Sequence, residues 1–174
     1  VDHHKEVLIR ILTQLGWRAE LIHEGFAVVL NALQDKDFSG IGLSFGGGMM
    51  NCAFSYMADE LFAFSQQRSG DWIDQVASDA STFTKAEITQ LKETQFRLGD
   101  PSNVGKDGLW QLESAYLSLI RATIKNINAA WGTLKSPPRL VQPLSVAIAG
   151  GTAMVPGFIE AFKRLTAEEQ LPFP

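Results

Sequence analysis

A chain of 174 residues suffices for one ordinary domain, or one domain with a small insertion. Hydrophobic residues make up 45% and charged residues 20%, the balance of a soluble globular protein with a sizeable core. The net charge of -4 offers no broad basic surface to nucleic acid, and the single cysteine, Cys52, excludes an internal disulfide. No apolar run approaches the roughly 20 residues that span a bilayer, and the opening residues carry no signal-peptide pattern. The start at Val1 and the end at 172–174 read as those of a fragment of a longer cytoplasmic protein.

Residues 5–15 carry Val7, Leu8, Ile11, Leu12 and Leu15 at helical spacing, with Gly16 as the stop. A short strand is predicted over 19–22. Helical spacing returns over 24–33 through Phe26, Val29, Leu30 and Leu33, and 34–39 is a polar loop. Strands follow at 40–45, 51–56 and 61–65, the last two forming a hairpin turned at 57–60. Asp71 to Asp74 opens a helix, and Asp74 is expected to act as a cap. From 75 to 136 the pattern is helical. Thr84 and Glu87 form a capping box for a helix predicted to end at Gly99-Asp100-Pro101. A long amphipathic helix runs through Leu112, Ala115, Tyr116, Leu119, Thr123, Ile127, Ala130 and Trp131 until Pro137-Pro138 breaks it. A buried strand over 144–149 and a last helix over 156–165 complete the order. Trp17, Trp72, Trp110 and Trp131 are expected in the core. The order predicts an α/β sheet domain with a helical insertion at about 75–136.

Two apolar runs end in glycine-rich turns, roughly a hundred residues apart. The first turn is Ser44-Phe45-Gly46-Gly47-Gly48-Met49; the second is Gly150-Gly151-Thr152-Ala153-Met154-Val155-Pro156-Gly157. Glycine permits close approach to the main chain, and successive N–H groups in such a turn suit phosphate oxygens. Ligands in α/β sheets bind beyond the carboxyl ends of the strands, where both turns lie.

With these motifs in hand, the chain resembles the second lobe of the actin-like ATPase superfamily, which includes actin, MreB-type bacterial actins and the heat-shock chaperones. Residues 24–29 resemble the inter-domain connecting helix. Residues 44–51 resemble the second phosphate motif, and 69–74 resemble a Gly-Gly-Asp-x-x-Asp segment. Residues 150–157 resemble the adenosine motif Gly-Gly-x-x-x-x-Pro-Gly. The resemblance implies an actin-like (ribonuclease-H-like) sheet subdomain formed by 40–74 and 137–174. It assigns 75–136 to a small helical subdomain and 1–39 to the end of the first lobe with its connecting helix.

It also implies site residues. Glu24 would orient a water for ATP hydrolysis, although a carboxylate also suits a helix start. Ser44, Gly46, Gly47, Gly48 and Met49 would meet phosphate, with Ser44 standing where relatives carry Asp and reaching Mg2+ weakly, through water. Met49 replaces a usual Thr and Asn51 a frequent Asp. Gly70, Asp71, Lys92, Gln95, Gly150, Gly151, Thr152 and Met154 would meet the nucleoside of ATP or ADP. His3, His4 and His23 do not form a metal set.

Three functions stay open from the sequence. The first is a prokaryotic cytoskeletal or filament ATPase, which self-associates or binds protein partners. The second is a chaperone-type ATPase domain. The third is a non-hydrolysing scaffold, which Ser44 and Met49 favour.

Overall fold

The computed structural model describes residues 2–169, 171 and 173, so that Val1, Gln170, Pro172 and Pro174 lie outside the described residues. Helix α1 spans Asp2–Gln14 and α2 spans Glu24–Ala32. Strands β1 (Gly40–Phe45), β2 (Met50–Tyr56) and β3 (Asp59–Gln66) follow. Three helices come next: α3 (Gly70–Asp79), α4 (Lys85–Thr94) and α5 (Leu109–Gly132). Strand β4 (Val146–Ala149) and helix α6 (Phe158–Glu168) close the chain. The sheet order is β3-β2-β1-β4. The first three strands form an antiparallel meander, and β4 is parallel to β1.

Period-2 alternation gives the sheet two unlike faces. Ile41, Leu43 and Phe45 lie on one face with their partners Phe54, Cys52 and Met50, and all six are fully buried. That face packs on the helical block, with Phe45 edge-on to Phe158 at 5.1 Å between ring centroids and Phe54 5.1 Å from Trp131. Apolar burial on this scale is the dominant favourable term in the fold.

The opposite face is built of small residues, Gly42 beside Ala53 beside Ala63. Helix α2 lies directly on it. A Cβ at Gly42 would strike the Gly25 carbonyl, and one at Gly25 would strike the backbone of Cys52 and Ala53. The two glycines therefore let helix and sheet meet backbone to backbone, which sets the height of Glu24 above the strands.

Several predicted elements differ from the structure. Residues 19–22 form no strand; Leu21 and Ile22 are exposed, with no ladder to join. Helix α4 stops at Thr94, short of Gly99. The Leu91 carbonyl accepts from both Gln95 and Phe96, and the chain then turns so that Leu98 N–H donates to the Pro156 carbonyl at 2.9 Å. Helix α5 ends at Gly132, ahead of Pro137-Pro138. Strand β4 is only half-buried because it is the sheet edge. Trp131 is buried as expected, but Trp17 and Trp110 are exposed. The apolar stripe of α1 is largely exposed as well. Asp74 does not cap α3: Ser69 holds the N-cap position, and Asp74 is buried inside the helix. No described helix is long and apolar enough to cross a membrane.

Candidate functional site

The two glycine turns meet at a single atom. The Gly46 carbonyl accepts from Ser69 Oγ, from Thr152 Oγ1 at 2.8 Å and from Gly70 N–H at 3.2 Å. One residue on, Asp71 N–H donates to the Gly47 carbonyl at 2.8 Å. The first turn, the start of α3 and the second turn are thus tied together. Gly150, at φ 98°, packs so tightly on the backbone of Phe45 that a Cβ would collide with its carbonyl, and a side chain at Gly70 would meet Thr152 Oγ1. Glycine is required at both positions, at Gly150 for its left-handed backbone as well.

A cleft of about 430 Å³ opens beside this junction, walled by Gly47, Gly70 and Asp71, by Lys92, Glu93 and Tyr116, and by Gly151, Thr152, Met154, Val155 and Pro156. Its walls combine main-chain polar groups, two carboxylates, an ammonium and apolar side chains, a mixture suited to a small polar ligand with a flat apolar part. The Asp71 carboxylate lies close to where side chains would stand on Gly47 and Gly48, which have none. Lys92 does not point a free charge into the cleft: its Nζ donates to both oxygens of buried Asp74 at 2.6 and 2.7 Å, and Thr89 Oγ1 adds a third bond at 3.0 Å. Burial pushes the Tyr116 phenol up from its ordinary titration range, and the charge of Asp74 adds to the shift. Burial likewise pushes the Cys52 thiol up, leaving it an inert core residue.

A second cluster lies on the small-residue face. Strand register places Ser44, Asn51 and Ser65 in one row across β1, β2 and β3. Glu24, at the start of α2, comes down on this row. Ser44 Oγ donates to Glu24 Oε1 at 2.6 Å, and Asn51 Nδ2 donates to Glu24 Oε2 at 2.7 Å. Ser65 Oγ in turn donates to Asn51 Oδ1 at 2.6 Å. His23 caps α2 by accepting the Gly25 N–H at Nδ1, which leaves Nε2 as the protonated nitrogen facing Ser65 Oγ at 3.2 Å. The donors therefore run in one direction, from His23 through Ser65 and Asn51 to Glu24. Each Glu24 oxygen keeps acceptor capacity, because a carboxylate oxygen has two lone pairs.

Of the residues expected at a nucleotide site, Gly47, Gly70, Asp71, Lys92, Gly151, Thr152 and Met154 line the one cleft. Gly46 and Gly150 form the junction behind it. Met49 is exposed at the tip of the first turn, and Gly48 lies beside it. Met154 is 82% exposed, which makes it a wall residue rather than a core one. Gln95 is exposed beyond the end of α4 and stands outside the cleft lining, where Glu93 takes part instead. Glu24 and Ser44 belong to the second cluster. Ser44 offers no open ligand to a magnesium ion. Ser44 is buried and bonded to Glu24, and no group of three His, Cys, Asp or Glu side chains that could hold a metal occurs among the described residues. His23, Ser65 and Tyr116 had no place in the sequence reading of the site. The signal for Ser65 was there in principle, as a polar residue on a strand face otherwise made of small ones.

No curated protein sequence matches the chain. Among solved structures, MreB 5 of Spiroplasma citri bound to AMPPNP superposes with a TM-score of 0.71 at 15% identity, covering 99% of this chain and 59% of that one. A non-polymerising MamK mutant bound to AMPPNP gives 0.64 at 15% identity, covering 83% and 51%. The ethanolamine utilization protein EutJ from Carboxydothermus hydrogenoformans gives 0.54 at 18% identity, covering 76% and 43%. The chain thus spans less than two thirds of each of these relatives and shares with them the fold of the actin-like ATPases. The Volactin family model matches residues 1–174, and the chain belongs to the Volactin family.

Proposed function

We propose that this chain is the second-lobe half of an actin-like filament protein and that its cleft takes an adenine nucleotide. The observation that carries this reading is the junction on the Gly46 carbonyl, which brings two glycine turns distant in sequence to the wall of one cleft. The first turn would receive phosphate on main-chain N–H groups, and Gly151, Thr152 and Met154 would flank the nucleoside. In this reading 40–74 and 137–174 form the sheet subdomain and 75–136 the smaller helical one. That MreB 5 and MamK were solved with AMPPNP, and MamK also as a double helical filament, supports nucleotide binding and self-association for a cytoplasmic protein of this fold.

Hydrolysis would fall to Glu24. A carboxylate held at both oxygens by Ser44 and Asn51 is fixed in orientation, and its remaining lone pairs can accept from a water. A second reading, a nucleotide-binding scaffold with little turnover, is favoured by Ser44, a neutral residue buried against Glu24 with no carboxylate in its place. Calorimetric titration with ADP and ATP, with and without magnesium, tests the binding claim, and phosphate release separates the two readings. Binding of ADP together with phosphate release supports the ATPase. Binding with no phosphate released supports the scaffold. A protein that binds neither ADP nor ATP refutes both.

A further inference from the structure

Tyr116 is fully buried, yet its hydroxyl has no hydrogen-bond partner. Its ring is wedged between Phe96, stacked at 5.4 Å, and Phe158, edge-on at 6.3 Å. Phenylalanine would serve that packing equally well without stranding a polar atom. Buried polar groups almost always find partners, so an orphan calls for a reason. The other orphan hydroxyl among the described residues, Ser55 Oγ, sits at the register shift between β2 and β3, outside the cleft lining. Tyr116, by contrast, forms part of the cleft wall beside Lys92, in a stretch completed by the apolar residues Met154, Val155 and Pro156. Asp74 is near enough for its charge to act on the phenol, but Lys92 and Thr89 are the groups bonded to it.

We infer that the Tyr116 hydroxyl is a ligand contact, donating to a ring nitrogen of the purine base held in this cleft. The inference rests on the nucleotide reading of the same cleft and adds to it a residue that reads the base. The apolar residues Met154, Val155 and Pro156 in the lining suit a flat heterocycle. A phenol among aromatic rings is a fixed donor, and adenine presents ring acceptors at N1, N3 and N7.

The test is calorimetric titration of the wild-type protein and Tyr116→Phe with ADP and with 1-deaza-, 3-deaza- and 7-deaza-ADP. Tyr116→Phe should weaken ADP roughly 3- to 10-fold, the span of one neutral hydrogen bond. Its ligand-free melting temperature should be unchanged or higher. One deaza analogue should weaken wild-type binding by a similar factor and cost the variant almost nothing further. Equal ADP affinity in wild type and variant overturns the inference while leaving the nucleotide reading intact, and so does full additivity of every deaza effect with the substitution. Should the variant fail to fold, the wild-type series decides alone: three analogues that all bind like ADP overturn the contact. A wild-type protein that binds no ADP overturns both readings.

Discussion

Glu24 is held more firmly than a residue at a helix start needs to be. Ser44 and Asn51 each occupy one of its oxygens, and Ser65 and His23 stand behind Asn51. A carboxylate serving only the helix dipole requires no such scaffolding. If Glu24 orients water, Glu24→Gln should lower phosphate release by about 100-fold or more while leaving ADP affinity within about 3-fold. Asn51→Ala should lower release by about 10-fold, since it frees one oxygen and leaves the other held by Ser44. Equal release by wild type and Glu24→Gln would return the residue to a structural role. Glu24 was found through its resemblance to a family motif. Ser44 and Asn51 were already in one motif, but their meeting with Ser65 and with Glu24 was hidden, because it arises only through strand register and the seating of α2 on the sheet. The mismatch at Gln95 has a related cause: the helix expected to run on to Gly99 in fact stops at Thr94, so Gln95 falls beyond its end.

At the scale of elements, α2 on the sheet is the contact with least slack. Gly25→Ala and Gly42→Ala each drive a methyl group into backbone that cannot yield, and each should destabilise by about 2 kcal/mol or more, read from the urea midpoint. Gly132→Ala provides the contrast. That position, at the end of α5, has open space around it and no left-handed backbone, so the change should be neutral or stabilising by about 0.5 kcal/mol. The start of α4 supplies a pH test. Thr84 donates from its backbone and its hydroxyl to Glu87, which holds that carboxyl below its ordinary 4.5. A carboxyl depressed in the folded state adds stability that is fully present above pH 4.5 and is lost as pH falls through its folded value. Glu87→Gln should therefore flatten the acid limb of a melting-temperature profile, and an unchanged limb would show that the capping box does not contribute there. Thr84 and Glu87 were legible because a capping box is local. The places of the four strands along the chain were legible too, with turn residues and apolar runs marking each, whereas the strand expected over 19–22 did not form. The ends of α4 and α5 were not, because each is set by a tertiary contact or a local unwinding rather than by the nearest glycine or proline.

Over the whole molecule, the α/β order, the helical stretch and the convergence of the two glycine turns could all be anticipated. Glycines and prolines punctuate the chain at the places where its backbone must come close to something. What could not be anticipated was exposure: the stripe on α1 and the side chains of Trp17 and Trp110 have the spacing or size of core residues and yet face outward. The three-way junction at Gly46 has a mechanical consequence. The two turns cannot part without breaking the Thr152 bond to the Gly46 carbonyl and opening the close packing of Gly150 on Phe45, and Ser69 and Gly70 fasten the start of α3 to the same carbonyl. If the cleft takes a nucleotide, this wall would act as a stiff template, and any shape change on loading would arise where the template meets the remainder of the protein. Amide exchange at the junction should accordingly be slow both with and without nucleotide.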